Sequence, residues 1–577
     1  MKYLLITTLF ILTTLCSYAQ QRTETAAPKW AAKAQNAIVS VVAYDRDHQL
    51  LRSGTGVYVS TNGQVAVAYD VLRDAYSATV VDHDGTQHEA ERLLGADSNY
   101  GMVRLQVNAK KTPALPLPTA AHAAANGATV YAINYQKGRI ATCPTTTVEK
   151  KDVVEEHYAY YTLAAEMPES YNGAPLFSAD GQLLGLLLSP IGGKSYAFDA
   201  SFVSSLSIQA IASKSATLAL NNIHLRRALP DSQEEALVYL YFQSRSASNE
   251  DYLDQLNLFV STYPNCAEGY YRRSIPLTDL FRFDDADRDL QTFLKLSADK
   301  AAANASIAQS IYNKLLFQPT PTYDRWTYDL ALTHIDRAIN AVQPKAANDE
   351  ASEAALLDYR LRKAQILSAK RDDAGAIAIY DDINASKHRA PATFYASSLA
   401  HEAAGDSIGV LIALMDSAIA LFPSPMPQSA SNYVMRRAQL LVKAGRYREA
   451  IGDYNQYCFL NGNKMTDAFY YERFQVAMEG RLYPQALDDI DKAVELAPRE
   501  PLYLVEKSAL LLRVNYIDES IAAARQCIAI DPENSDAYRI LGYALTQKGD
   551  KVEARRMLER AKALGDEAAQ EIMDKYL

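Results

Sequence analysis

Cysteine is scarce in this chain: there are five in 577 residues, and beyond Cys16 only Cys143, Cys266, Cys458 and Cys527 remain. They lie far apart and form no CxxC pair. That excludes a disulfide framework and leaves them as small hydrophobes for burial. No HExxH or similar grouping of His, Cys, Asp and Glu occurs, so neither metal nor cofactor is expected. An excess of basic charge is also missing: 58 Lys and Arg stand against 68 Asp and Glu, for a net charge of −10. An acidic chain without a basic stripe argues against nucleic acid as a partner. Nor is there an apolar run of the roughly 20 residues that a membrane-spanning helix needs.

The most apolar stretch stands at the start. Met1-Lys2-Tyr3 leads into an apolar run over 4–16 and then into Ser17-Tyr18-Ala19-Gln20. A positive start, a short apolar core and a small-x-small end predict a signal peptide over 1–19, cut near Ala19. Cys16 follows Leu15, where lipid attachment requires a small residue, so a lipid anchor is not expected. This predicts export to the periplasm of a Gram-negative bacterium, with the cell surface or secretion as alternatives. Hydrophobic residues make up 49% of the chain, enough for a large core.

Two halves follow with different periods. Over about 35–204, short β-branched runs alternate with turns such as Thr61-Asn62-Gly63 and Asp82-His83-Asp84-Gly85. Segments 37–44, 54–60, 77–81, 128–135, 158–164, 183–189 and 195–198 read as strands. Many short strands with glycine turns predict a barrel or sandwich. Segment 211–232 reads as a linker. From 233 onward, helical patterns rich in Ala, Leu and Tyr take over, and a repeat emerges.

The repeat is clearest near the C-terminus. Starts at Asp467, Pro501 and Ser535 are 34 residues apart. Small residues recur at the twentieth position (Ala486, Ser520, Ala554) and at the twenty-seventh (Ala493, Cys527, Ala561). Pro498 and Pro532 close the second helices. Two antiparallel helices approach closely only where the crossing points are small, and a large residue such as Tyr454, Ile490 or Leu558 fills the adjoining gap. Further units start near Ser431 and around Ala364, Ala376 and Tyr380; 391–423 reads as an eroded unit, and 263–271 as a repeat boundary. This pattern resembles the tetratricopeptide repeat, a 34-residue helix–turn–helix unit. It predicts about seven or eight units over 233–577, with a capping helix from about 566.

The β half resembles the trypsin-like peptidases, in particular their HtrA/Deg branch. Ser53-Gly54-Thr55-Gly56-Val57-Tyr58-Val59-Ser60 is similar to that family's opening strand. Gly63-Gln64-Val65-Ala66-Val67-Ala68-Tyr69-Asp70-Val71-Leu72 is similar to the segment that carries its catalytic histidine. Ala96-Asp97-Ser98-Asn99-Tyr100-Gly101-Met102-Val103 matches the segment of its orienting aspartate. Asn172-Gly173-Ala174-Pro175-Leu176 and Gly181-Gln182-Leu183-Leu184-Gly185 match the segment of its serine, and Tyr196-Ala197-Phe198-Asp199 its closing strand. The resemblance spans about 35–205 and implies a multidomain chain: an all-β chymotrypsin-like double barrel over 30–210, followed by an all-α solenoid.

The resemblance also places the catalytic positions. The base falls on Asp70, the orienting acid on Gly101, the nucleophile on Asn172 and an oxyanion-hole glycine on Ser170. Acyl transfer by this triad needs an activated hydroxyl, a base with a pKa near the working pH, and a group that fixes that base's tautomer. An amide is a poor nucleophile, carboxylates ordinarily titrate near ~3.9, and glycine has no side chain. His83 and His88 read as solvated loop residues. The resulting expectation is a pseudoprotease, not an enzyme, that binds proteins or peptides as a scaffold. On the first helices of the repeats, Gln439, Lys443, Tyr471, Gln475, Arg513, Arg539, Tyr543 and Gln547 are the expected groove residues. Two rival readings are a serine-type peptidase with rearranged residues, built on Ser170, and a periplasmic holdase chaperone.

Overall fold

Alternation of buried and half-buried side chains along Ser77–Val81 and from Val103 to Val107 shows strands with one face on a core. A computed structural model of the protein describes residues 23–119, 123–138, 142–342 and 349–577. The expected signal peptide lies outside them. The chain divides into two compact units, 1–298 and 299–577.

The first unit opens with thirteen strands among the described residues: β1 (Thr23–Ala26), β2 (Ile38–Tyr44), β3 (Leu50–Tyr58), β4 (Gln64–Ala68), β5 (Ser77–Val81), β6 (Gln87–Asp97), β7 (Met102–Val107), β8 (Thr129–Ala132), β9 (Thr142–Val154), β10 (Tyr158–Leu163), β11 (Pro175–Ser178), β12 (Leu183–Ile191) and β13 (Lys194–Asp199). Strands β2-β3-β4-β7-β6-β5 close into one antiparallel barrel. Strands β9-β10-β13-β12-β11-β8 form a second, closed by the pairing of β8 with β9, and β1 adds to the outer part of β9. Closure removes the free sheet edges. Val41, Val57, Val65, Val67, Leu93, Val103 and Leu105 fill the first barrel, and Val148, Tyr161, Leu163, Leu176, Leu184 and Leu187 the second. The expected double barrel is therefore what the chain forms.

Segment 211–232, expected as a linker, is docked on the first barrel. It holds a helix, Lys214–Asn221, capped by Ser213. Ser215 Oγ donates to Asp97 Oδ2 at 2.7 Å. Leu93 N–H donates to Arg226 O at 2.7 Å, and Ala228 N–H to Leu93 O at 2.9 Å. Ile223 and Leu225 join the barrel core.

Among the described residues, helices joined by turns make up the rest of the chain. In the first unit these are Gln233–Gln243, Asn249–Thr262, Ala267–Asp279 and Phe283–Leu296. The second unit, among its described residues, is seven helix pairs and a last helix, Ala568–Tyr576. The expected small residues are at the crossings: Ala486, Ala493, Ala554 and Ala561 are fully buried. At Gly542 an added Cβ would lie 2.6 Å from Leu558 Cγ. Ser508 and Ser520 each donate from Oγ to the other's carbonyl at 2.8 Å, which satisfies two buried polar groups where these helices pack.

A second device recurs. An arginine of a first helix meets an aspartate sixteen residues on: Arg273 with Asp289 and Arg437 with Asp453, both at 2.7 Å, and Arg473 with Asp489. Each guanidinium also reaches back to a preceding helix, at Asn257, Asp416 and Asn455 respectively. The Asp289 acceptor and the planar two-point geometry push the Arg273 guanidinium further up. Each of these three clamps ties its helix pair to the helix before it.

Two outcomes follow. Arg473→Met strands the fully buried Asp489 carboxylate and should cost the helical unit about 3–5 kcal/mol, whereas the paired change Arg473→Met with Asp489→Leu should recover most of it. Gly542→Leu should cost about 1–3 kcal/mol through overpacking against Leu558. Guanidinium melts followed by helical circular dichroism measure both.

Candidate functional site

The cleft between the two barrels is built from two loops and the end of a strand. After β4 the chain makes one helical turn, Tyr69–Leu72, which carries Asp70. Its position is fixed from several sides. Tyr69 N–H donates to Gly101 O at 2.8 Å. Arg52 NH1 donates to Asp70 O at 2.9 Å. Val71 fills the space that a side chain at Gly54 would need, 2.4 Å from an ideal Cβ. Gly101 itself has a φ of +65°, and a Cβ there would sit 3.1 Å from Leu188 Cδ2. The residue before it, Tyr100, donates to Glu155 Oε1 at 2.5 Å, and that acceptor pushes the phenol up to about 12.

From the second barrel comes a 3₁₀ turn, Glu169–Tyr171, followed by Asn172. Asn172 N–H donates to Glu169 O at 2.9 Å, and Gly173 N–H donates to Leu187 O at 2.8 Å. Gly173 has a φ of +80°, and a Cβ there would lie 2.6 Å from Thr55 O, so only glycine fits. Asn134 Nδ2 donates to Ser170 O at 2.8 Å, and Thr55 Oγ1 is hydrogen-bonded to Asn134 Oδ1. The loop is thereby clasped from β3 and from the chain after β8.

The third contribution is Ser189, near the end of β12. Asn172 Nδ2 donates to Ser189 Oγ at 2.8 Å, and Ser189 Oγ donates to Asp70 Oδ2 at 3.0 Å. Asp70 Oδ1 faces Arg73 NH1 at 3.4 Å. An amide, a hydroxyl and a carboxylate thus form one chain across the cleft. Among the described residues no histidine is hydrogen-bonded to any of the three. The backbone donor of Asn172, the position assigned to the nucleophile, is spent on Glu169 O, so it does not point toward an oxyanion.

The structure brings Asp70 and Asn172 together through Ser189 and places Gly101 beside Tyr69. Ser170 is exposed, and its carbonyl is held by Asn134. His88 corrects an expectation: it lies within β6, not in a loop, and meets Asp82 Oδ2 at 3.0 Å. Asp82 also accepts from the buried Tyr58 hydroxyl at 2.7 Å; burial and this carboxylate hold the Tyr58 phenol far above its ordinary value. Sequence reasoning missed Ser189, Thr55 and Asn134. A serine closing an apolar strand carries no local signal, and only the fold sets it against Asp70.

On the helices, Gln439, Gln475, Arg513 and Gln547 are exposed. Lys443 Nζ donates to Glu402 Oε1 at 3.0 Å, on the first helix of the preceding pair. The Tyr471 ring meets that of Tyr503 at 5.0 Å. The last two expected groove residues with large side chains are engaged by the chain's own end: Arg539 Nε donates to Asp566 at 2.6 Å, and the Tyr543 ring lies 5.3 Å from that of Tyr576.

Comparison with known proteins agrees with this division. Residues 54–186 match the family described as Trypsin-like peptidase domain. A small glutamine-rich tetratricopeptide repeat-containing protein 2 of Mycosarcoma maydis is 36% identical over 78 residues, 14% of this chain and 22% of that protein. Bacteriophage adsorption protein A of Escherichia coli (strain K12) is 33% identical over 85 residues, 15% of this chain and 8% of that protein. The chain thus spans under a quarter of the length of these curated relatives. Among solved structures, the HtrA-type protease AlgW with a tripeptide is similar at 19% identity and a TM-score of 0.27, over 31% of this chain and 62% of that one. A variant of the same protease with a tripeptide gives 18% and 0.26, over 30% and 60%. The chain therefore carries a domain of the trypsin-like peptidase family, followed by helix pairs of the tetratricopeptide type.

Proposed function

We propose that this protein is a non-catalytic adaptor of the bacterial cell envelope, in which a trypsin-like domain without hydrolytic activity is joined to repeats that bind a protein or peptide partner. The observation that carries this reading is the chain Asn172–Ser189–Asp70 in the place where peptide hydrolysis needs a nucleophile beside an imidazole. A carboxylate is a weak base at neutral pH, and loss of one triad member alone lowers such catalysis by about 10⁴–10⁶. The N–H that would polarise a substrate carbonyl is committed to Glu169. Export rests on the leader-like pattern over 1–20. Partner binding rests on the exposed polar residues of the first helices, Gln439, Lys443, Gln475, Arg513 and Gln547, with the half-buried Tyr471 among them. The glycines that set close backbone approaches around the cleft, Gly54 and Gly173, are retained, and peptide docking in that cleft is part of the proposal.

One observation favours a second reading. Ser189 Oγ donates to a carboxylate, the arrangement that a serine–carboxylate hydrolase would use. The two are separated by incubating the mature protein with casein and a mixed peptide library from pH 5 to 9 and following the products by mass spectrometry. The adaptor reading expects no product above the level of Ser189→Ala and Ser170→Ala. Turnover that disappears in either variant would establish the enzyme instead.

A further inference from the structure

A second concave site lies within the first unit, away from the cleft. A cavity of about 520 Å³ opens where the segment after the barrels meets the turn between helices Gln233–Gln243 and Asn249–Thr262. Neither Asp70, Ser189 nor Asn172 lines it. Its volume falls in the range of small-molecule sites.

The walls carry opposite chemistry. Helix Asn249–Thr262 contributes Asp251, Asp254 and Gln255; the facing segment contributes Arg226 and His224, with Tyr76 stacked on His224 at 4.4 Å. Asp254 is already held by Arg92 NH1 at 2.9 Å, whereas Arg226 reaches it only at 3.8 Å and keeps a side chain 74% exposed. Arg226 is thus a cation with spare donors. Asp251 accepts from Ser248 Oγ at 2.9 Å on one oxygen, which leaves its charge uncompensated by any cation among the described residues.

Gln255 points to a ligand most directly. It is only 8% exposed, yet its Oε1 has no hydrogen-bond partner. Its Nε2 donates to Arg227 O at 3.5 Å. A carbonyl only accepts, so the end beside Arg227 O is the Nε2 end and the end without a partner is the oxygen. The lining of the cavity therefore includes a residue with a buried acceptor that lacks a donor, together with a cation and an aromatic ring.

We propose that this cavity binds a small zwitterion of the amino-acid class, with its ammonium toward Asp251 and Gln255 Oε1, its carboxylate toward Arg226, and an aromatic or apolar side chain against Tyr76. Such a ligand satisfies both walls at once, and an Arg–carboxylate contact adds directional strength. Because the cleft takes no part, failure here leaves the adaptor reading untouched, and the reverse holds too.

The test is calorimetric titration of the mature protein with phenylalanine and with glycyl-phenylalanine, which separates a free amino acid from a peptide source. Phenylalaninamide, which lacks the carboxylate, and 3-phenylpropionate, which lacks the ammonium, serve as single-charge controls. Saturable binding of at least one zwitterion is expected, about tenfold or more weaker for both controls. Arg226→Ala, at an exposed position, should weaken it similarly with an unchanged circular dichroism spectrum and melting temperature, and Asp251→Asn should do the same. The absence of saturable binding to either zwitterion, equal binding of the single-charge controls, or binding indifferent to Arg226→Ala would each overturn the proposal.

Discussion

Everything in the cleft depends on one hydroxyl. Ser189 Oγ accepts from the Asn172 amide and donates to the Asp70 carboxylate, and so joins loops from both barrels. The hydroxyl's single donor is thereby committed to Asp70 and one of its acceptor positions to Asn172. Protein side chains consequently occupy the place where a proton shuttle would have to act. The same geometry accounts for the backbone around it. With the Asn172 N–H spent on Glu169 and the Ser170 carbonyl clasped by Asn134, the loop is stable as a closed 3₁₀ turn and needs no ligand to hold it. In the adaptor reading, the glycines that shape a peptidase remain because they set backbone approach, while the groups that perform chemistry have been exchanged for groups that bond to one another.

Much of this architecture could be read from the sequence. Gly54, Gly63, Gly173 and Gly181 mark turns and close approaches that the structure confirms, with three of the four at positive φ and all four with no room for a side chain. Strands with a clean apolar alternation were legible. Strand β9 was not: beyond Val148 it runs as Glu149-Lys150-Lys151-Asp152 over a largely solvated surface, so no hydrophobic period announces it. Segment 211–232 misled for a related reason. Its polar composition suggests a linker, but Asp97 and the Leu93 backbone supply tertiary partners that composition does not reveal. Asp70 and Asn172 were legible by position, whereas Ser189, which connects them, is distant in sequence from Asp70 and surrounded by apolar strand residues.

The helical part shows the same contrast. The 34-residue spacing and the small crossing residues were visible because they recur at fixed offsets. The Arg–Asp clamps also recur, sixteen residues apart, but the apolar period hides them, since each charged pair sits among hydrophobic neighbours. Which groove residues face solvent depends on what the chain's own end covers. Arg539 and Tyr543 fit a binding surface by register, yet they meet Asp566 and Tyr576. Both residues are therefore engaged by helix Ala568–Tyr576 and the turn before it.

The central claim is that no hydroxyl in the cleft is activated for attack on a carbonyl. The most direct measurement is the intact mass of the mature protein after prolonged exposure to a fluorophosphonate, which reports nucleophilicity without requiring any substrate to be known. The account predicts an unchanged mass. A stoichiometric adduct mapped to Ser189, or to any other serine lining the cleft, would contradict it.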